Sequence, residues 1–345
     1  MSAFRESDVL RLLSKAVNAP GVVEGTADQD DCGVLALQAG HELCATTDFV
    51  RGTGFTLHRL GHLSFEDLGR YVVAANVSDL AAMGAAPIGY LSVIRYSAER
   101  TIEQIGELLK GIENACAEFE CPLIGGDSGS YQSDVLSGTA LGLVPAGRRL
   151  SRRSLRAGDI VFVSGEIGGA AAALAAATHP LGIRCGDAFQ EALRRWRLPQ
   201  PRLALGQAIL QAVPEASAMD VSDGLTASLQ QLSRITGLGF EIDASLLPIA
   251  QHVKTVADSI DGDPVHLACS ASVDFELLLG IPEHKASTAQ DAAERAGTPI
   301  RSIGRCVETP TIKMLGPGGA PYQTLPGAPW DHQTNDVAEM YHAKR

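Results

Sequence analysis

Long apolar runs are missing from this sequence. The longest, Gly168 to Thr178, is mostly alanine and falls well short of the roughly 20 apolar residues a bilayer requires, so it reads as a buried helix and no membrane segment is expected. Paired cysteines are missing as well. Cys32, Cys44, Cys116, Cys121, Cys185, Cys269 and Cys306 are dispersed, odd in number and form no C-x-x-C, which disfavours both a disulfide framework and a zinc site. They read as free thiols of a reducing compartment. Basic charge is short: 28 Lys and Arg stand against 40 Asp and Glu, and the formal charge of −12 argues against nucleic-acid or anionic-membrane partners. Met1 to Val17 lacks the basic start and apolar core of a secretion signal and reads as an amphipathic helix, so a cytoplasmic location is expected. No G-x-x-x-x-G-K-[ST], protein-kinase catalytic loop or G-x-S-x-G is present, and the histidines show no partnered spacing. A P-loop, a protein-kinase fold and covalent catalysis are thereby disfavoured.

What is present is an ordinary globular composition. With 345 residues and 45% hydrophobic content, the chain can bury a large core, in two domains, around a small-molecule substrate. The pattern alternates strands and helices, an α/β (α+β) class. Strands are expected at Val34–Leu37, Leu43–Thr47, Ile88–Ile94, near Pro122–Ile124 and at Val135–Leu143, with helices at Phe65–Met83 and Thr101–Glu118. Pro145, Gly147 and five arginines (Arg148, Arg149, Arg152, Arg153, Arg156) then break the pattern and read as a solvated linker. The domains are accordingly 1–147 and 148–345. The second opens with a strand, Ile160–Ser164, a glycine turn (Gly165, Gly168, Gly169) and the alanine-rich helix. Helices near Leu203–Ala212 and after Asp223 follow, with strands at Phe240–Ile242 and Phe275–Leu279. The glycine turn could receive a phosphate at a helix N-terminus, although a plain strand–turn–helix junction explains it equally well. A Gly- and Pro-rich tail, Pro310 to Pro329, is expected to wrap the surface.

Aspartates recur at the ends of the expected strands: Asp30-Asp31, Thr46-Thr47-Asp48, Gly125-Gly126-Asp127 and Asp220-Val221-Ser222-Asp223-Gly224. Asn76-Val77-Ser78-Asp79 opens or interrupts a helix. Each alone is explained as a helix cap or turn, Asp79 and Ser222 most readily. Five in one chain are better explained by convergence. Carboxylates gathered together repel unless cations sit between them, and Asp, Ser and Thr oxygens suit Mg²⁺. Mg²⁺ held in this way serves phosphoryl transfer from a nucleotide.

In this order, with Asn76-Val77-Ser78-Asp79-Leu80-Ala81-Ala82-Met83-Gly84-Ala85 between the second and third turns, the motifs resemble the thiamine-monophosphate kinase family of the aminoimidazole-ribotide synthetase-like superfamily, from about residue 28 to 280. The resemblance implies a two-domain fold whose N-terminal sheet pairs with that of a second copy in a homodimer, with a C-terminal α/β domain. It implies ATP and several Mg²⁺ as cofactors, and transfer of the γ-phosphoryl group directly onto the acceptor's phosphate, without a protein nucleophile. It assigns Asp31, Thr46, Thr47, Asp48, Asp79, Asp127, Asp220 and Asp223 as metal ligands. Gly126, Asp127, Arg152 and Ser222 become nucleotide contacts.

On the acceptor side the sequence departs from the family. Gly54 stands where a histidine is expected, in a loop one residue shorter, and Val273 stands where a glutamate is expected. Trp330 aligns with an aromatic acceptor contact. Three functions therefore stand open: a thiamine-monophosphate kinase, a same-fold enzyme acting on another acceptor (a kinase or an amide-activating cyclo-ligase), and a non-catalytic nucleotide-binding dimer.

Overall fold

Two six-stranded sheets organise the chain, each built mainly from antiparallel neighbours. The computed structural model describes residues 22–24, 31–36 and 40–327; the expected helix over Met1–Val17 and Trp330 lie outside the described residues. The first sheet contains β1 (Val22–Glu24), β2 (Gly33–Ala36), β3 (His41–Val50), β4 (Ala86–Tyr96), β5 (Leu123–Ser130) and β6 (Val135–Pro145), in the order β1-β2-β3-β6-β4-β5. Only β4 and β5 run parallel. The second contains β7 (Ile160–Ser164), β8 (Ser217–Val221), β9 (Gly239–Asp243), β10 (Glu276–Ile281), β11 (Ile300–Val307) and β12 (Ile312–Leu315), in the order β12-β9-β11-β7-β10-β8.

Alternation decides what each strand of the first sheet does. In β6, Leu136, Gly138, Ala140, Gly142 and Val144 are buried while Ser137, Thr139, Leu141 and Leu143 are half-exposed, the period of two expected for one covered face. The cover is α1 (Phe65–Met83), lying on β3 and β6, with α2 (Ile102–Glu118) packed on α1. Helix α1 starts at a capping box in which Ser64 and Asp67 satisfy each other's orphan N–H groups, and it stops at Gly84 in the left-handed conformation. The opposite face carries no helix among the described residues. There Phe49 is 62% and Val93 37% exposed.

The halves are joined through α1. It packs on α5 (Leu203–Ala212), where a Cβ on Gly206 would lie 2.0 Å from the carbonyl oxygen of Ala81, so only glycine permits this approach. The hydrophobic core runs continuously from Val73, Leu80 and Met83 of α1 to Leu205, Ala218 and Leu277 of the second half. Between α1 and α5 in sequence lie α3 (Gly169–Thr178) and α4 (Asp187–Arg197); α6 (Leu225–Thr236) follows β8.

Two expectations need correction. The arginine segment is not simply a solvated linker: Arg152 is buried, and Arg149 pairs with Glu42 at 3.4 Å. The glycine- and proline-rich tail does more than wrap the surface, because β12 within it adds an edge strand parallel to β9 and buries Met314.

Candidate active site

Asn76-Val77-Ser78-Asp79 lies inside the uninterrupted helix α1, so Asp79 is not a cap. Asn76 and Asp79 reach β3, and Ser78 between them reaches β8. Asn76 accepts from the backbone N–H of Asp48 on β3 (2.9 Å) and donates to the Val72 carbonyl (2.8 Å). Ser78 donates to Asp220 on β8 (2.9 Å), and Asp79 accepts from Thr46 on β3 (2.5 Å). The motif thus pins the first sheet and the second sheet to one helix. Ser222 is no cap either: the residue preceding α6 is Gly224, at φ 91°, where a Cβ would meet the Ser270 carbonyl oxygen at 2.1 Å.

The result is a carboxylate cluster. Oxygens of Asp31, Asp79 and Asp220 all lie within 4.8 Å of one another. Asp31 is buried and held by a two-pronged ion pair from Arg152, whose Nε donates to Oδ2 at 2.7 Å while Nη2 donates to Oδ1. Asp79 is pushed well above the carboxylate range by burial, then by the charges of Asp48, Asp220 and Asp31, against the hydrogen bond from Thr46. Asp220 is raised likewise by burial and then by Asp31; Arg152 and Ser78 oppose the shift, and Asp48 adds to it. Such a cluster is electrostatically unfavourable by itself. Its donors are all oxygen, and a hard divalent cation such as Mg²⁺ fits them; zinc, which prefers nitrogen and sulfur, does not.

Beside the cluster opens a cavity of about 250 Å³, lined by Asp48, Arg51, Tyr71, Ser222, Asp223 and Val273, among others. Its apolar wall is an aromatic group drawn from two helices and two connecting segments. Tyr71 of α1 and Trp196 of α4 stack at 5.6 Å; Phe55 meets both edge-on, at 5.0 and 5.3 Å; and Phe275 lies 5.6 Å from Tyr71. Burial, followed by the charges of Asp48, Asp223 and Asp220, pushes the Tyr71 phenol well above its usual range, so it stays a proton donor facing the acids. Gly54 lines a smaller cavity of about 20 Å³ that shares Arg51, Phe55, Leu174 and Trp196 with the larger one.

Phe275 stands out by its backbone. Its φ of 53° is a left-handed conformation that costs a non-glycine residue on the order of 1–3 kcal/mol and persists only when its surroundings over-determine it. The neighbouring Asp274 fills the glycine turn before α3, accepting from the N–H groups of Gly168 (2.6 Å) and Ala170 (3.3 Å). That helix N-terminus is therefore occupied by the chain's own carboxylate.

Not every expected ligand joins the cluster. Thr46 and Thr47 are consecutive on a strand and must point to opposite faces. Thr46 is buried at the cluster, whereas Thr47 is exposed on the uncovered face and donates to the Gly138 carbonyl (2.6 Å). Asp127 also stands apart. The register runs Phe49–Ser137–Val93–Asp127 across β3, β6, β4 and β5, which puts Asp127 on the uncovered face about 14 Å from Phe49 at three strand spacings. It is ion-paired there with Arg95 (2.5 Å), and Gly126 beside it is exposed. Arg51, Phe55, Tyr71 and Trp196 also line the cavity, and none of them stands in a recognisable motif. Aromatic residues make up only 5% of the chain, and that scarcity is the one signal that could have drawn attention to Trp196.

Fold and site together define a two-domain α/β protein of the AIR synthase related class: the model of its N-terminal domain matches residues 29–144 and that of its C-terminal domain residues 156–315. Thiamine-monophosphate kinase of Caulobacter vibrioides is 31% identical over 285 residues, covering 81% of this chain and 78% of that protein. Its counterpart in Methanopyrus kandleri is 33% identical over 249 residues, 72% of this chain and 75% of the relative. The crystal structure of thiamine-monophosphate kinase from Stenotrophomonas maltophilia K279a superposes with a TM-score of 0.71 at 27% identity, over 93% of this chain and 98% of that one. AaThiL complexed with AMPPCP and TMP shares the fold, with a TM-score of 0.76 at 22% identity over 95% and 97% of the two chains. The chain belongs to the thiamine-monophosphate kinase family and is, by that membership, an ATP-dependent kinase.

Proposed function

We propose that this kinase transfers the γ-phosphoryl group of ATP, with Mg²⁺, onto the phosphate of thiamine monophosphate bound in the aromatic cavity, and that it works as a homodimer. The observation that carries the reading is the adjacency of the Asp31–Asp79–Asp220 cluster to a cavity with an aromatic wall and an acidic rim. Aromatic faces and carboxylates suit a cationic ring. The Arg51 guanidinium at the same cavity suits the acceptor's phosphate.

Asp31, Asp79 and Asp220, with Thr46 beside them, would hold the metal, and Asp48 and Asp223 at the cavity would extend the set. Bound Mg²⁺ would neutralise charge on the triphosphate and on the transferring group. The chain's own part is positioning. Arg152 holds Asp31 in place, Asn76 fixes the strand that carries Asp48, and Ser78 orients Asp220. Tyr71 keeps its proton and can donate to a phosphate oxygen beside the acids. With the acceptor's own phosphate as nucleophile, no protein nucleophile is needed.

The uncovered face of the first sheet, with its row of Phe49, Ser137, Val93 and Asp127, is the surface on which a second copy would pair. Pairing there would return Thr47, Gly126 and Asp127 to a protein interior. The junction at residues 147 and 148, between the two sheets, is our proposed domain boundary.

Incubation with ATP, Mg²⁺ and thiamine monophosphate, followed by phosphorus NMR, is expected to give the two coupled resonances of a new diphosphate. Consumption of ATP with another acceptor but none with thiamine monophosphate would move the assignment to a different acceptor. Val273 favours that second reading, because an apolar side chain occupies the cavity wall where the family resemblance places a glutamate. A side chain at Gly54 has room, since an added Cβ would meet only the Cβ of Arg51, at 3.7 Å. The double variant Gly54→His, Val273→Glu is expected to raise kcat/KM for thiamine monophosphate by about tenfold or more, the scale of a restored polar contact. An unchanged value would show that these two positions do not set acceptor preference.

A further inference from the structure

Two buried carboxylates flank the strained Phe275, and neither belongs to the metal cluster. Asp274 is held by Ser272 (2.7 Å) and by the N–H groups opening α3. Glu276, at 0% exposure, accepts from Ser164 (2.6 Å), from Arg195 (3.1 Å) and from Arg202 through Nε (2.7 Å) and Nη2 (2.5 Å). Ser164 in turn accepts from the Leu277 N–H at 2.8 Å, which locks the first residues of β10. The Phe275 N–H itself donates to the Val221 carbonyl (3.1 Å), one residue beyond Asp220.

The partners of Glu276 explain what this network does. Arg195 immediately precedes Trp196 on α4, and the Trp196 indole donates to the Ala170 carbonyl at 2.9 Å. One carboxylate thereby ties the helix that carries Trp196 to the start of the strand that Phe275 precedes, and both of these rings pack against Tyr71. A buried carboxylate shared by two arginines is costly to break from either side, because the partner left behind is a buried, unpaired charge.

We infer that Glu276, acting through Arg195 and Arg202, is a positioning residue that sets the spacing of the aromatic wall and thereby the affinity for the acceptor. The inference rests on the proposed role of the cavity as the acceptor site. Glu276 touches neither the metal cluster nor the cavity directly, so its loss is felt in acceptor binding ahead of nucleotide use.

The test compares wild type with E276Q, R195Q and R195K. E276Q is expected to raise KM for thiamine monophosphate about tenfold or more, with KM for ATP within twofold. R195Q should do the same, and R195K, which restores a cation toward Glu276, should return KM to within about threefold of wild type. A lowered melting temperature with an unchanged acceptor KM would make Glu276 a stabilising residue only and overturn the inference. If wild type does not use thiamine monophosphate, the acceptor assignment fails separately and the wall is read directly. In a W330F background, where Trp196 is the one remaining tryptophan, E276Q is expected to red-shift the emission and increase its quenching by acrylamide. R195K should restore both. Emission and quenching identical to the unmutated background would overturn the inference.

Discussion

Asp220→Asn is expected to lower kcat by about 10²–10³-fold, the scale of losing one pre-organised charge-stabilising group, while making the metal-free protein more resistant to heat. The two effects share one cause. Asp220 is buried among Asp31, Asp79 and Asp48, and its folded-state pKa is raised, first by burial and then by Asp31. A raised carboxylate binds more protons folded than unfolded, so stability falls as pH climbs from the ordinary carboxylate range toward the raised value. Above that window the full penalty applies. Asparagine does not titrate, and it keeps an oxygen to accept from Ser78, which donates to Asp220 at 2.9 Å. The gain in Tm should therefore be absent at strongly acid pH and grow as pH climbs above the ordinary carboxylate range, on the order of 2 °C for each kcal/mol of repulsion removed.

Mg²⁺ should reverse the ranking. A ligand that binds only the folded chain adds stability in proportion to its affinity, so Mg²⁺ should raise the Tm of wild type more than that of the variant. Thermal scans across pH, with EDTA and with Mg²⁺, check this alongside turnover. Near-normal turnover, or a variant less stable at every pH, would remove the polymetal reading.

The second large effect is expected at Leu141→Arg. Leu141 is half-exposed on β6, which lies between β3 and β4 in the interior of the first sheet, and its register neighbours Ala45 and Gly89 lie on the same uncovered face. In a two-fold interface one substitution appears twice. An unpaired charge buried there costs about 3–5 kcal/mol, so two of them would weaken a dimer by several orders of magnitude. A monomer by light scattering, with helix content preserved by circular dichroism and turnover lowered about 100-fold or more, is the expected outcome. A fully active monomer would show that Asp127 and the uncovered face take no part in the site.

The helix Phe65–Met83 and the strand Ile160–Ser164 could be read at their actual bounds because their ends are marked by Ser64, Gly84, Gly158 and Gly165, although both elements are buried on nearly every side and carry little alternation of their own. The strand containing Asp48 was harder: it runs to Val50 beyond the polar Thr46-Thr47-Asp48, because Asn76 holds the Asp48 N–H, β6 pairs along its whole length and Val50 is buried at its end. The separation of Thr46 from Thr47 was available from alternation alone. The occupied glycine turn was not, for Asp274 reaches Gly168 from 106 residues away.

The sequence by itself determined the alternation of strands and helices, the arginine-rich break between the halves, and a set of carboxylates whose mutual repulsion calls for a cation. These follow from local period, turn chemistry and charge, which act over a few residues. Tertiary structure alone decided which aspartates meet. Asp31, Asp79 and Asp220 converge because α1 bridges both sheets, and Asp127 is turned to the other face by its register with Val93, Ser137 and Phe49. It also decided that Tyr71, Trp196, Phe55 and Phe275 form one wall, since rings from four separate stretches of the chain come within 5.0–5.6 Å only through tertiary packing.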